Sequence, residues 1–137
     1  MNLDSSAFVA DQELIRALRE RASAVECDHD RSLFRQGDEP TGLYILHSGE
    51  VTVTMESPSG DEVVSMRADP GSLLGLPGLV GNRGYSLSAY ANKGAEISFV
   101  SREAFSELML SEPKLAMMIL RVLANEVRTA RMAISGK

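Results

Sequence analysis

Short apolar–polar alternations fill the middle of this chain, and a helical spacing replaces them after residue 100. Leu43-Tyr44-Ile45-Leu46 and Val51-Thr52-Val53-Thr54-Met55 read as strands split by Ser48-Gly49-Glu50. Val63-Val64-Ser65-Met66 follows the turn Ser57-Pro58-Ser59-Gly60, and Ala95-Glu96-Ile97-Ser98-Phe99-Val100 is the last strand. Between them, residues 85–91 alternate small polar with apolar side chains, which predicts another strand. Nearer the N-terminus, Asp11 is placed to cap a helix over residues 12–21, with Leu14, Ile15 and Leu18 as its stripe. Small and β-branched residues at 22–27 predict a short strand, Leu33-Phe34 starts a second, and residues 36–42 make a turn. Many short strands broken by turns every roughly 8–12 residues indicate a β-sandwich, jelly roll or barrel. Gly37, Gly49, Gly60, Gly71 and Gly94 sit at or near those turns.

After Val100, Ser101 caps a helix over residues 102–110, and Ser111-Glu112-Pro113 starts a longer one, proline being tolerated in a first turn. Leu115, Met118, Ile119, Val122, Leu123 and Val127 form one stripe of that helix, and Ala116, Met117, Leu120 and Ala124 a second beside it. A helix apolar over so wide an arc has two faces to bury. One is expected to cover the β-roll. The other, through Met117, Leu120, Ala124 and Val127, is expected to meet a second copy of the chain. The alternative is a helix packed only on its own domain, with Met117 and Leu120 as isolated surface residues.

Composition narrows the class. A chain of 137 residues makes one domain, here about residues 10–100 as helix plus β-roll and 101–135 as C-terminal helices. A net charge of −5 argues against a nucleic-acid surface over the whole domain; Arg121, Arg128 and Arg131 read as a solvated helix face rather than a basic patch. The single cysteine, Cys27, leaves no internal disulfide, and neither an apolar span nor a signal pattern is present, so a cytoplasmic protein is expected. His29 lies between two aspartates without further ligands at workable spacing, which predicts a solvated turn rather than a metal site. With only His29 and His47 and no nucleophile arrangement, neither a metal enzyme nor other catalysis is expected; haem ligation through His47 or a methionine stays open, with no spacing to single it out.

The glycine-dense stretch from Asp69 to Ala91 is where the chemistry would lie. Leu73, Leu74, Leu76, Leu79 and Val80 interleave with Gly71, Gly75, Gly78 and Gly81, so the segment reads as a buried, tightly turned loop. A short helical turn near residues 76–80 would present free backbone N–H groups to an anion; a glycine-rich corner between two strands is the plainer alternative.

Leu33-Phe34-Arg35-Gln36-Gly37-Asp38, Leu43-Tyr44-Ile45-Leu46-His47-Ser48-Gly49-Glu50-Val51, the turns at Gly60 and Gly71, and Ser101-Arg102-Glu103-Ala104-Phe105 together resemble the cyclic nucleotide-binding domain family, in the form found in catabolite-activator and Fnr-like sensors. The resemblance covers roughly residues 10–135 and implies a mainly β fold with flanking α: a double-stranded β-helix, or jelly roll, with an N-terminal helix and C-terminal helices. It implies a non-catalytic, ligand-sensing or regulatory domain. In that family's phosphate-binding cassette a Phe-Gly-Glu and a later Arg-Ser/Thr-Ala hold the cyclic nucleotide. Aligned on Gly75 and Ala91, this chain carries Leu76 in place of the glutamate and Tyr85 in place of the arginine, keeps Ser86, and has Pro77 removing one N–H. The implied consequence is weak or absent binding of cyclic AMP and cyclic GMP, because an unpaired phosphate in the pocket loses its charge-assisted partner. Two alternatives stand: rescue of the phosphate by Arg83 in a shifted register, or an interaction module that has lost ligand binding, with Tyr85 and Tyr90 remodelling or filling the pocket. Many members continue from the long helix into a DNA-reading helix-turn-helix, and ending at Lys137 leads to the expectation of a stand-alone sensor, an adaptor or an excised fragment.

Overall fold

The computed structural model describes residues 8–81 and 83–135; for residues 62, 63 and 127–135 it describes the backbone only. The order is α1 (Gln12–Arg19), β1 (Ser23–Val25), β2 (Arg31–Phe34), β3 (Gly42–Ser48), β4 (Val51–Glu56), β5 (Glu62–Ala68), β6 (Leu73–Leu74), α2 (Leu76–Gly81), β7 (Ser88–Ala91), β8 (Glu96–Ser101), α3 (Arg102–Ser111) and α4 (Pro113–Ser135). The strands form two four-stranded antiparallel sheets, ordered β1-β8-β3-β6 and β2-β7-β4-β5. This is the jelly roll expected from the alternation.

Strand β3 is apolar on both of its faces. Leu46, with Tyr44 beside it, faces the space between the sheets, where Phe34, Val51, Val53, Leu74, Ala89 and Ile97 also lie. Leu43 and Ile45 point the other way, into a second cluster with Leu14 and Leu18 of α1, Phe105 and Leu108 of α3, and Leu115, Ile119 and Val122 of α4. A strand buried on both faces reads as a continuous apolar run, because successive side chains enter two different cores.

Several element boundaries moved. The strand expected at residues 85–91 begins only at Ser88, and the one expected at 22–27 spans Ser23–Val25, leaving Cys27 buried beyond it. Two-residue β6 carries too little pattern to announce itself, and pairs through Tyr44↔Leu74 and Ile45↔Leu73. Asp11 occupies the N-cap of α1 without a side-chain cap bond; its carbonyl alone accepts, from Ile15 N–H at 3.0 Å. At α3 the expected cap is made, Ser101 Oγ accepting from Ala104 N–H at 3.2 Å. The five turn glycines all have φ of 91°. At Gly49 the requirement is also spatial, since a Cβ there would stand 2.6 Å from Ala95 Cα.

On α4, Leu115, Ile119 and Val122 are buried and Met118 and Leu123 half-buried, as the first stripe requires. The side chain of Val127 lies outside the described residues, as do those of Arg128 and Arg131. The helix then does something the stripe did not foretell. Glu126 follows Val122 by one turn and is only 5% exposed, with Oε1 lacking a hydrogen-bond partner. Burial pushes its carboxyl well above the usual carboxylate range. A carboxyl whose folded-state pKa is raised contributes its full stability below its unfolded pKa, and that contribution is lost as pH climbs through the folded value. Replacing it by leucine (E126L) should therefore raise stability near neutral pH by on the order of 1–3 kcal/mol, the cost of an unsatisfied buried polar group. Denaturant titrations between about pH 5 and pH 8 should show the wild type losing stability relative to E126L as pH rises; parallel profiles would reject this assignment.

Candidate ligand site in the glycine-rich segment

Gly75, with φ of 90°, turns the chain from β6 into α2, and a Cβ on it would meet the Tyr85 ring at 2.8 Å. Glycine here serves the approach of that ring. Leu76 and Leu79, buried on α2, belong to the cluster beneath the helices, whereas Tyr85 belongs to the interior of the roll. Leu76 and Tyr85 thus fall on opposite sides of the sheet.

Tyr85 is 4% exposed and bonded at every polar atom. Its ring stacks on Phe34 with centroids 4.1 Å apart and planes inclined by 24°. Its hydroxyl donates to the Gly42 carbonyl at 2.8 Å and accepts from Thr41 N–H at 3.3 Å. Its backbone N–H donates to Asp38 O at 3.0 Å, and its carbonyl accepts from Gly37 N–H at 2.9 Å. The loop before it presses on the same turn, since a Cβ on Gly84 would stand 2.7 Å from Gly37 O. A buried aromatic with a satisfied hydroxyl is a stable filling for an apolar space. The ring occupies the volume beneath Gly75.

The remaining singled-out residues do not converge on that volume. Arg83 is exposed, with its backbone N–H 3.4 Å from Gly78 O, and Ser86 and Tyr90 are exposed as well. Pro77 is half-buried in the first turn of α2. Two residues that sequence reasoning passed over matter more. Phe34 supplies the stacking partner, and Ser88 Oγ accepts from Gln36 N–H at 2.8 Å, tying β7 to the same turn. Phe34 could have been found, since it lies in the quoted Leu33–Asp38 motif; Ser88 had no signal, because only pairing shows that its hydroxyl faces Gln36.

His29 lies in an exposed turn with Nδ1 2.7 Å from Asp28 Oδ1. His47 Nε2 lies 2.7 Å from Ser98 Oγ, and burial, helped by Arg19, lowers its pKa. Among the described residues no group of His, Cys, Asp and Glu could hold a metal ion, and no helix is long and apolar enough to cross a membrane. On α4, Met117 and Leu120 are 57% and 56% exposed, and Ala124 is exposed beside them.

A β-roll with a helical glycine-rich insert between its sixth and seventh strands, closed by two C-terminal helices, is the architecture of a double-stranded β-helix domain. The chain belongs to the cyclic nucleotide-binding domain family, whose sequence profile matches residues 24–112. It is similar to the transcriptional activator protein Anr of Pseudomonas protegens, 32% identical over 96 residues, covering 70% of this chain and 39% of that protein. It is also similar to the anaerobic regulatory protein of Aggregatibacter actinomycetemcomitans, 30% identical over 97 residues, covering 71% of this chain and 37% of that one. The chain therefore spans less than half the length of these regulators. Among solved structures, the catabolite activator protein of Thermus thermophilus superposes with a TM-score of 0.76 at 25% identity, covering 91% of this chain and 59% of that one. The chain is thus a cyclic nucleotide-binding domain similar to the corresponding part of Crp/Fnr-type regulators.

The contacts of Tyr85 can be separated by substitution. Tyr85→Phe keeps the ring and strands the Gly42 carbonyl and Thr41 N–H, and should cost about 1–3 kcal/mol. Tyr85→Ala also leaves a cavity beside Phe34 and should cost about 3–5 kcal/mol. Equal losses in urea denaturation would show that the stacked ring contributes little.

Proposed function

We propose that this domain is a non-catalytic regulatory module whose phosphate-binding cassette has been closed by Tyr85, so that cyclic AMP and cyclic GMP bind weakly or not at all. One observation carries the reading: where the family pattern places an arginine to pair with phosphate, a neutral phenol stacks on Phe34 and spends its hydroxyl on Gly42 and Thr41. A nucleotide entering there would have to displace the ring and break both hydrogen bonds, and the phenol at that position offers no charge to its phosphate. Leu76, buried among the helices, has no acceptor for a ribose hydroxyl. Arg83 supports the reading by its position, exposed on the loop.

Output is assigned to the long helix. Met117, Leu120 and Ala124 form an exposed apolar strip on the side of α4 away from Leu115, Ile119 and Val122, suited to the same strip of a second copy. The protein is read as a cytoplasmic homodimer, its buried Cys27 thiol pushed up by burial and kept protonated. A pure interaction module of the same architecture is the second reading, and the closed cassette favours it over any nucleotide sensor.

Calorimetry with cyclic AMP and cyclic GMP should show no saturable binding at micromolar nucleotide; a micromolar Kd for either, lost in Arg83→Gln, would establish the rescued cassette instead. Sedimentation should show a dimer that Leu120→Glu converts to monomer. A wild type that stays monomeric at high concentration would remove the dimer from the proposal.

A further inference from the structure

A second feature opens where the two sheets meet beside β1. A groove of about 390 Å³ lies where β1, β3 and β8 meet β2, lined by Val25, Glu26, Arg31, Tyr44 and Phe99 among others. Tyr44 and Phe99 are cross-strand partners, their ring centroids 5.0 Å apart and their planes inclined by 54°. Tyr44 also stacks on Phe34 at 5.7 Å, and Phe34 on Tyr85 at 4.1 Å, so the floor of the groove is the outer end of a four-ring ladder. Tyr44 Oη is held on Leu33 O at 3.3 Å. Such a floor is fixed before any ligand arrives.

The rim carries two opposite charges that do not neutralise each other. Arg31 Nη1 donates to the backbone carbonyl of Glu26 at 3.0 Å, which anchors the guanidinium, yet no ion pair joins Arg31 to the Glu26 carboxylate or to any other carboxylate among the described residues. Arg31 stands close enough to Tyr44 to oppose the rise that burial, and secondarily Tyr85, impose on that phenol. An aromatic surface beside an anchored cation, with the acidic residue Glu26 also in the lining, matches a molecule carrying a ring and both charges.

We infer that this groove is a binding site for a free aromatic α-amino acid, its ring on Tyr44 and Phe99, its carboxylate on Arg31 and its ammonium on Glu26. The site is distinct from the cassette and stands whether or not the cassette accepts a nucleotide. Groove volume is within the range of small-ligand sites, and the expected Kd is on the order of 1 mM.

The test is a proton–nitrogen NMR titration of the whole chain with L-phenylalanine, 3-phenylpropionate and phenethylamine, which carry both charges, the anion alone and the cation alone. L-Phenylalanine should shift the Arg31, Tyr44 and Phe99 signals saturably, and each single-charge analogue should bind about threefold more weakly, as loss of an exposed ion pair dictates. Arg31→Gln and Glu26→Gln, both exposed positions that leave the fold intact, should each weaken L-phenylalanine by a similar factor, and Phe99→Ala should abolish the shifts. Absence of saturable shifts with all three probes, equal binding of the three, or an unchanged Kd in Arg31→Gln and Glu26→Gln would overturn the assignment.

Discussion

The stacking of Tyr85 on Phe34, locked by the phenol's bond to the Gly42 carbonyl, is the constraint around which the glycine-rich segment is arranged. A buried hydroxyl must find partners, and this one finds them only if Thr41 and Gly42 are held in place. They are. Gly42 has no room for a side chain, since a Cβ there would run into Val100 O and the Phe99 ring, and Arg102 donates its backbone N–H to Thr41 O and its Nη2 to Pro40 O. The start of α3, the turn after β2 and the loop after α2 are thereby joined at one ring.

Strand β3 divides the protein's interior into two. Its Leu43 and Ile45 side chains bind the helices to the roll, while Tyr44 and Leu46 fill the roll itself. Leu76 and Tyr85 end up in separate cores although only the rest of α2 and a short loop part them. A change at one is therefore felt chiefly by the helices, and a change at the other by the aromatic ladder. Glu126 interrupts this apolar packing, a carboxyl set in line with Leu115, Ile119 and Val122 whose pKa burial pushes well above the usual carboxylate range.

Much was legible from local chemistry. The turn glycines, the Ser101 cap and the restart at Pro113 are each dictated within a few residues, by backbone sterics or by one side chain reaching a nearby N–H. The exposure of Met117 and Leu120 likewise follows from helical periodicity once Leu115 and Ile119 are assigned to the core. Asp11 shows the limit of such rules: the right residue stands at the N-cap, and its side chain makes no cap bond.

What the order of residues determined by itself was the alternation that makes strands, the turns that separate them, the change of period after Val100, and the glycine-dense run that carries Leu76 and Tyr85. All of these depend on neighbours along the chain. Tertiary structure alone decided that Tyr85 leaves the strand to fill the roll, that Phe34 receives it, that Glu126 is buried, and that Arg31 and Glu26 flank Tyr44 and Phe99. Those outcomes are set by which side chains meet across sheets and helices far apart in sequence, and the physical quantity that settles them, the space left between packed surfaces, is a property of no single segment.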